Sequence, residues 1–157
     1  MKKLICLVFI LNLFQCISLN SQNLVPNCSF EITTSCAGYG KIYYAAPWFQ
    51  PNIYSGNTTN SSSSDMFASC APSFSGVSVP SNSDGYQYAR TGSVYVGIYC
   101  FRTTNSREYI EVPLLDTLIS NHNYCVEYYV SYANNWGTVI SNMGAYFSHD
   151  SVMLPKI

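Results

Sequence analysis

Tyr86, Tyr88, Arg90, Tyr95, Tyr128 and Trp136 are the side chains of this sequence whose types could do chemistry together. That chemistry is recognition of sugars. Aromatic faces stack on pyranose rings, and nearby Asn, Asp, Gln or Arg side chains bond the hydroxyls. The competing reading is packing, because most aromatic side chains of a β-protein lie in the core or in cross-strand pairs. Trp48, set between Pro47 and Phe49, reads as a core anchor rather than a platform.

Catalytic constellations are hard to find. Glycoside hydrolysis needs two carboxylates about 5 to 10 Å apart. Glu108 and Glu111 are the pair to consider, but three positions apart on a strand they point to opposite faces. The sequence contains no GxSxG, HExxH or Walker pattern, and neither His122 nor His149 has the context of a triad. With no CxxC pair and the two histidines far apart, a zinc site is not expected either. The chain therefore reads as non-enzymatic.

The elements that would position the six recognition residues follow a period of two. In YCVEYYVSY, Tyr124, Val126, Tyr128, Val130 and Tyr132 share one face, and Cys125, Glu127, Tyr129 and Ser131 share the other. REYIEVPLL alternates Ile110, Val112 and Leu114 with Tyr109 and Glu111, and Pro113 suits an edge or a strand end. Ser93 to Phe101 is apolar on both faces, as in a central strand, and MGAYFSH at 143–149 is a further strand candidate. Turn chemistry punctuates these runs at Gly38-Tyr39-Gly40, Ser55-Gly56-Asn57, Asn82-Ser83-Asp84-Gly85 and Ser120-Asn121-His122-Asn123. The run NTTNSSSSD, 57–65, reads as an exposed loop. Short strands joined by polar turns predict an all-β antiparallel sandwich.

The N-terminus places this domain in a compartment. Lys2 and Lys3 precede an apolar run from Leu4 to Phe14, followed by a more polar stretch to Gln22. That is the layout of a secretory signal peptide, with cleavage expected after Ser21, so residues 1–21 form the leader and 22–157 one domain. The run is shorter than the ~20 residues a membrane-spanning helix needs, and no transmembrane span is expected once the signal is removed. Phe14 and Gln15 before Cys16 argue against a lipoprotein. Loss of Lys2 and Lys3 leaves five basic residues against eight acidic ones, a formal charge of −3, which disfavours nucleic acid as a partner. Only 10% of residues are charged while 15% are aromatic, so the surface must be polar through Ser, Thr, Asn and Tyr.

Of seven cysteines, Cys6 and Cys16 belong to the leader, and Cys28, Cys36, Cys70, Cys100 and Cys125 remain. Export permits disulfides, and an odd number leaves at least one cysteine without an intrachain partner. Cys100 and Cys125, on neighbouring expected strands, suit either a bridge or two free thiols.

Eight motifs occur in a fixed order: NLVPNCSFE at 23–31, TTSC at 33–36, APWFQP at 46–51, SDMFASCA at 64–71, VPSNSDGYQYARTGSVYVGIYCF at 79–101, REYIEVPL at 107–114, YCVEYYVSYA at 124–133 and MGAYFS at 143–148. Together they resemble the N-terminal domain of many exported Bacteroidetes proteins, among them OmpA-like outer-membrane proteins and gliding-motility-associated surface proteins of the type IX secretion system. The resemblance spans nearly all of the chain after the leader.

It implies a jelly-roll β-sandwich similar to galactose-binding-like and carbohydrate-binding modules. Cys36 and Cys70 match positions where the family commonly has cysteines. A bridge between them would close a loop of about 35 residues, worth on the order of 3 to 4 kcal/mol. Cys28 stands where the family usually has Gly or Pro. Glu31 resembles an acidic residue that helps hold a structural calcium in several carbohydrate-binding jelly rolls. Calcium takes six to eight oxygens, and without a DxDxDG loop a plain charged strand end is the simpler reading of Glu31. The family domain continues past the MGAYFS strand, so a C-terminally truncated sandwich with open sheet edges is expected. The functional expectation is a non-catalytic recognition or adhesion module, extracellular or attached to the outer membrane, that binds cell-surface or environmental glycans. The alternative is a structural component of the envelope or motility apparatus that binds envelope proteins. No cofactor beyond the calcium is implied.

Overall fold

A computed structural model gives the structure of the protein and describes residues 22–53, 63–101, 107–137, 140–152 and 154–155. The leader, with Cys6 and Cys16, lies outside the described residues, as do the turn 55–57 and most of the run 57–65. Among the described residues no helix is long and apolar enough to cross a membrane.

The fold is β-rich and largely antiparallel. Its strands are β1 (Asn52–Ile53), β2 (Asp65–Ala68), β3 (Ser81–Asn82), β4 (Gly85–Tyr86), β5 (Val94–Gly97) and β6 (Leu154–Pro155). Single turns of 3-10 helix occupy Ile42–Ala45 and Ser73–Ser75. β2 and β5 pair antiparallel from Asp65 opposite Gly97 to Ala68 opposite Val94. β3 and β4 form a hairpin, and β1 and β6 pair in parallel.

β2 is the centre of the structure. All four of its residues are buried, β5 runs along one edge, and Gly38 and Ser78 bridge to Met66 and Ala68. Met66 and Ala68 pack with Ala45 and Val94, joined by Phe30, Ala37 and Tyr44. Phe67, on the opposite face, packs with Ala71, Val77, Val79 and Tyr95. A strand buried on both faces must satisfy its polar groups locally. Asp65 does so by accepting the Gly40 N–H at 2.7 Å, and Gln50 Oε1 accepts the N–H groups of Ser63 and Ser64 and the Ser64 hydroxyl. Ser64 and Asp65 are thus buried, not the tail of an exposed loop.

The sequence placed the central strand at 93–101, but only Val94–Gly97 are in a ladder, and on one side of β2. The turn expected at 82–85 is the hairpin turn, with Asp84 N–H donated to Asn82 Oδ1. In the 107–115 segment, Glu111 and Phe49 exchange backbone hydrogen bonds of 2.8 and 3.0 Å, an isolated bridge in place of the strand expected there. The segments 124–132 and 143–149 belong to no ladder and are almost wholly exposed. Alternation tells each residue which side it takes when the chain is extended; it supplies no partner strand, and a strand exists only with one.

Cys36 and Cys70 are joined by a disulfide, as the resemblance implied, pinning the segment ahead of Gly38 to the end of β2. Cys28, Cys100 and Cys125 are free thiols, so Cys100 and Cys125 do not form a second bridge.

Candidate binding surface

From Gly85 to Arg90 exposure alternates residue by residue. Tyr86, Tyr88 and Arg90 are exposed, and Gly85, Gln87 and Ala89 are half-buried. An extended chain places such residues on one face about 6 to 7 Å apart. Tyr86 and Tyr88 meet edge to face, ring centroids 5.6 Å apart, and their hydroxyls share a 3.2 Å hydrogen bond. That bond holds the Tyr86 phenol above its usual range. Arg90 lies over the ring of Tyr129, with the guanidinium carbon 4.3 Å from the centroid.

Tyr129 arrives from a second extended stretch running antiparallel to the first. Asn135 donates its backbone N–H to Asp84 O at 3.0 Å. Asn134 Oδ1 accepts the Tyr86 N–H, the Ser131 hydroxyl bonds Gln87 Oε1, and Arg90 caps Tyr129. The pairing therefore runs 84 with 135, 86 with 134, 87 with 131 and 90 with 129, a strand-like register held mainly by side chains. Gly85 makes the approach feasible. Its φ is +145°, and a Cβ there would lie 2.7 Å from Asn134 Oδ1 and 2.9 Å from the Asn134 nitrogen.

Trp136 closes the far end. Its indole N–H donates to Asp84 Oδ1 at 2.7 Å, and its ring meets Tyr99 edge-on at 5.2 Å. The polar end of Trp136 is thereby committed to holding the two stretches together. Tyr95 is placed differently. It stacks on Phe67 at 5.0 Å and accepts a hydrogen bond from Asn82 Nδ2 at 2.6 Å, and burial raises its phenol pKa. Tyr128 stands exposed with no hydrogen bond or ring contact among the described residues.

Of the six residues the sequence nominated, Tyr86, Tyr88 and Arg90 share one face, Trp136 braces it, Tyr95 belongs to the core, and Tyr128 stands apart. Tyr129, Asn134 and Gln87 were not nominated. The alternation in YCVEYYVSY did separate Tyr129 from Tyr128. What the sequence lacked was any sign that the face carrying Glu127, Tyr129 and Ser131 makes the contacts.

Glu31 also has a definite place. Its carboxylate accepts the N–H groups of Ser93 and Val94, both at 2.8 Å, and the Ser93 hydroxyl at 3.1 Å. Gly92, with φ +64°, lets it in, because a Cβ there would lie 2.4 Å from the carboxylate carbon. A shell of N–H and O–H donors suits an anion rather than a cation. Among the described residues no group of three or more His, Cys, Asp or Glu side chains gathers to hold a metal. Through its bonds to Ser93 and Val94, Glu31 clasps the NLVPNCSFE segment to the start of β5. Asn27 anchors the same segment. Its side chain donates to the carbonyls of Ile32, Ala45 and Ala46 and accepts the Ile32 N–H, while its carbonyl accepts the Trp48 indole N–H. Trp48, half-buried, packs on Phe30 at 4.9 Å, at the edge of the core rather than within it.

The carboxylates weighed for hydrolysis are both engaged with backbone. Glu108, buried, accepts the Tyr99 N–H, and Glu111 accepts the Val152 N–H.

Comparison with models of known protein families, with curated proteins and with solved structures finds no match for this chain. The likeness to exported surface domains rests on the ordered motifs alone.

Proposed function

We propose that this chain is an exported, non-catalytic recognition module of jelly-roll type that binds glycans through the face bearing Tyr86, Tyr88 and Arg90. The observation that carries this reading is the residue-by-residue exposure along 85–90, which sets two mutually bonded phenols and a guanidinium in a row on the surface. Rings offer stacking area and hydroxyls offer bonds to sugar hydroxyls, and neither needs a deep pocket. The signal-like leader and the motif resemblance support display outside the cell or on the outer membrane. A glycan array probed with the full chain tests this. Reproducible sugar hits that fall when Tyr86 and Tyr88 are both changed to Ala are expected, and an array without hits overturns the reading.

A second reading has its own observation. Tyr128, Tyr129, Val130, Tyr146 and Phe147 are exposed on stretches that join no ladder, which is the surface a partner strand could cover. In that case the chain would be a structural component of the outer envelope or gliding-motility apparatus. A silent array together with envelope proteins retained on the immobilised chain would favour it.

A further inference from the structure

Two cations of the described structure sit over aromatic rings, and they differ in what remains open. Lys41 lies over Tyr43 and Tyr44, and its ammonium donates to the Tyr43 hydroxyl at 2.9 Å, a bond that raises the lysine pKa. Arg90 has its guanidinium carbon 4.3 Å from the Tyr129 ring centroid but donates no hydrogen bond and joins no ion pair among the described residues. The nearest acidic residue in the Tyr129 stretch, Glu127, is engaged by the Tyr129 hydroxyl. An exposed guanidinium held over a ring keeps N–H donors that the ring does not use, a fork that matches a carboxylate.

We propose that this face takes a carboxylated saccharide, a uronate or sialate, with Arg90 binding the carboxylate and Tyr86 and Tyr88 carrying the adjoining sugar. The proposal rests on the glycan-binding reading above and narrows it. Charge argues for one carboxylate rather than a polyanion. The chain is net negative, so a ligand of many phosphates would be repelled by the whole while attracted at one point. A ligand with a single anionic group on a neutral, stackable ring meets one cation and two phenols that alternate along one exposed stretch, the two phenol rings 5.6 Å apart. Affinity then depends on a local fork rather than on a general field.

The test uses the full chain and three matched probes: uronate- and sialate-bearing oligosaccharides, the same compounds as methyl esters, and their neutral counterparts. Esterification keeps the ring and removes the charge. Calorimetry should show the acids binding about tenfold or more tightly than their esters, the scale of a charge-assisted bidentate contact. Arg90→Gln should erase that difference, and Arg90→Lys should restore only part of it, because an ammonium has no fork. An unchanged melting temperature in both variants shows that the fold is intact. Equal binding of acid and ester, or an acid-to-ester ratio that Arg90→Gln leaves unchanged, overturns the carboxylate assignment while glycan binding stands. No binding of acid, ester or neutral sugar overturns the glycan reading and this proposal with it.

Discussion

The chain before Phe101 and the chain after Leu114 are built on opposite terms. In the first, every buried apolar residue of the described structure is found, from Ile42 to Val94, around a β2 strand covered on both faces and pinned by a disulfide. The second carries at least as large a share of apolar and aromatic side chains, yet nearly all of those among its described residues face outward; Tyr146 is 81% exposed and Val130 64%. Its ties to the first are few: a backbone bond from Leu115 N–H to Leu24 O, the short β1–β6 pairing, and the contacts joining 129–136 to 83–90 and Tyr99. Hydrophobic content does not make a core. Burial does, and burial here follows from partners distant in sequence, Gly38, Ser78 and β5 around β2, of a kind that the described residues of 124–149 have not acquired.

The sharpest way to break this contrast is substitution. Phe67 is 2% exposed and packed against Ala71, Val77 and Tyr95. Phe67→Ala should cost about 3 to 5 kcal/mol in urea unfolding, through lost transfer free energy and the cavity left behind. Val130→Ala, outside the core, should stay within about 0.5 kcal/mol. Equal costs would mean that the later stretch is buried in solution and the contrast false. Next comes the disulfide, whose partners are 34 residues apart. Cys36→Ser with Cys70→Ser should lower stability by about 3 to 4 kcal/mol, because the unfolded chain regains the entropy of an open loop. A loss much below that would show the early region held by packing alone.

The same contrast explains what could be read in the sequence. Turn chemistry was legible because it is local: Asn82-Ser83-Asp84-Gly85 specifies its hairpin through one side-chain bond and one glycine. The Cys36–Cys70 bridge was legible through the motif resemblance. The central strand was not. Met66, Phe67 and Ala68 are too short a run to signal a strand, and a serine-rich approach concealed that Ser64 and Asp65 are buried and bonded. The long alternating run 124–132 gave the opposite error: a strong periodic pattern with no ladder. At the candidate surface, local alternation marked Tyr86, Tyr88 and Arg90, whereas Tyr129 enters through a contact 39 positions away, beyond any pattern in a short window.

Contact between the two regions can be tested at Gly85. Alanine there is strained by the φ of +145° and collides with Asn134, so Gly85→Ala should release the 129–136 stretch and cost about 1 to 3 kcal/mol. In a Trp48→Phe background Trp136 is the one tryptophan. Its emission should shift to longer wavelength and acrylamide quenching should rise as its bond to Asp84 and its contact with Tyr99 are lost. Unchanged quenching would mean that the two stretches are held together by something other than the Gly85 approach.

The mildest test uses the free thiols, which sample both regions. Cys125 lies on the exposed later stretch, whereas Cys100 lies half-buried near the boundary. Burial, and secondarily the negative charge of Glu108, raise the Cys100 thiol pKa. A raised pKa means less thiolate at any given pH, and the thiolate is the nucleophile. Iodoacetamide at pH 8 should therefore label Cys125 and the exposed Cys28 first and Cys100 last. Glu108→Gln keeps an acceptor for the Tyr99 N–H but removes the charge, so it should quicken Cys100 without bringing it level with Cys125, because burial is the larger cause. If Cys100 reacts as fast as Cys125 in the unmodified chain, the boundary between the packed and open regions lies before residue 100 rather than beyond it.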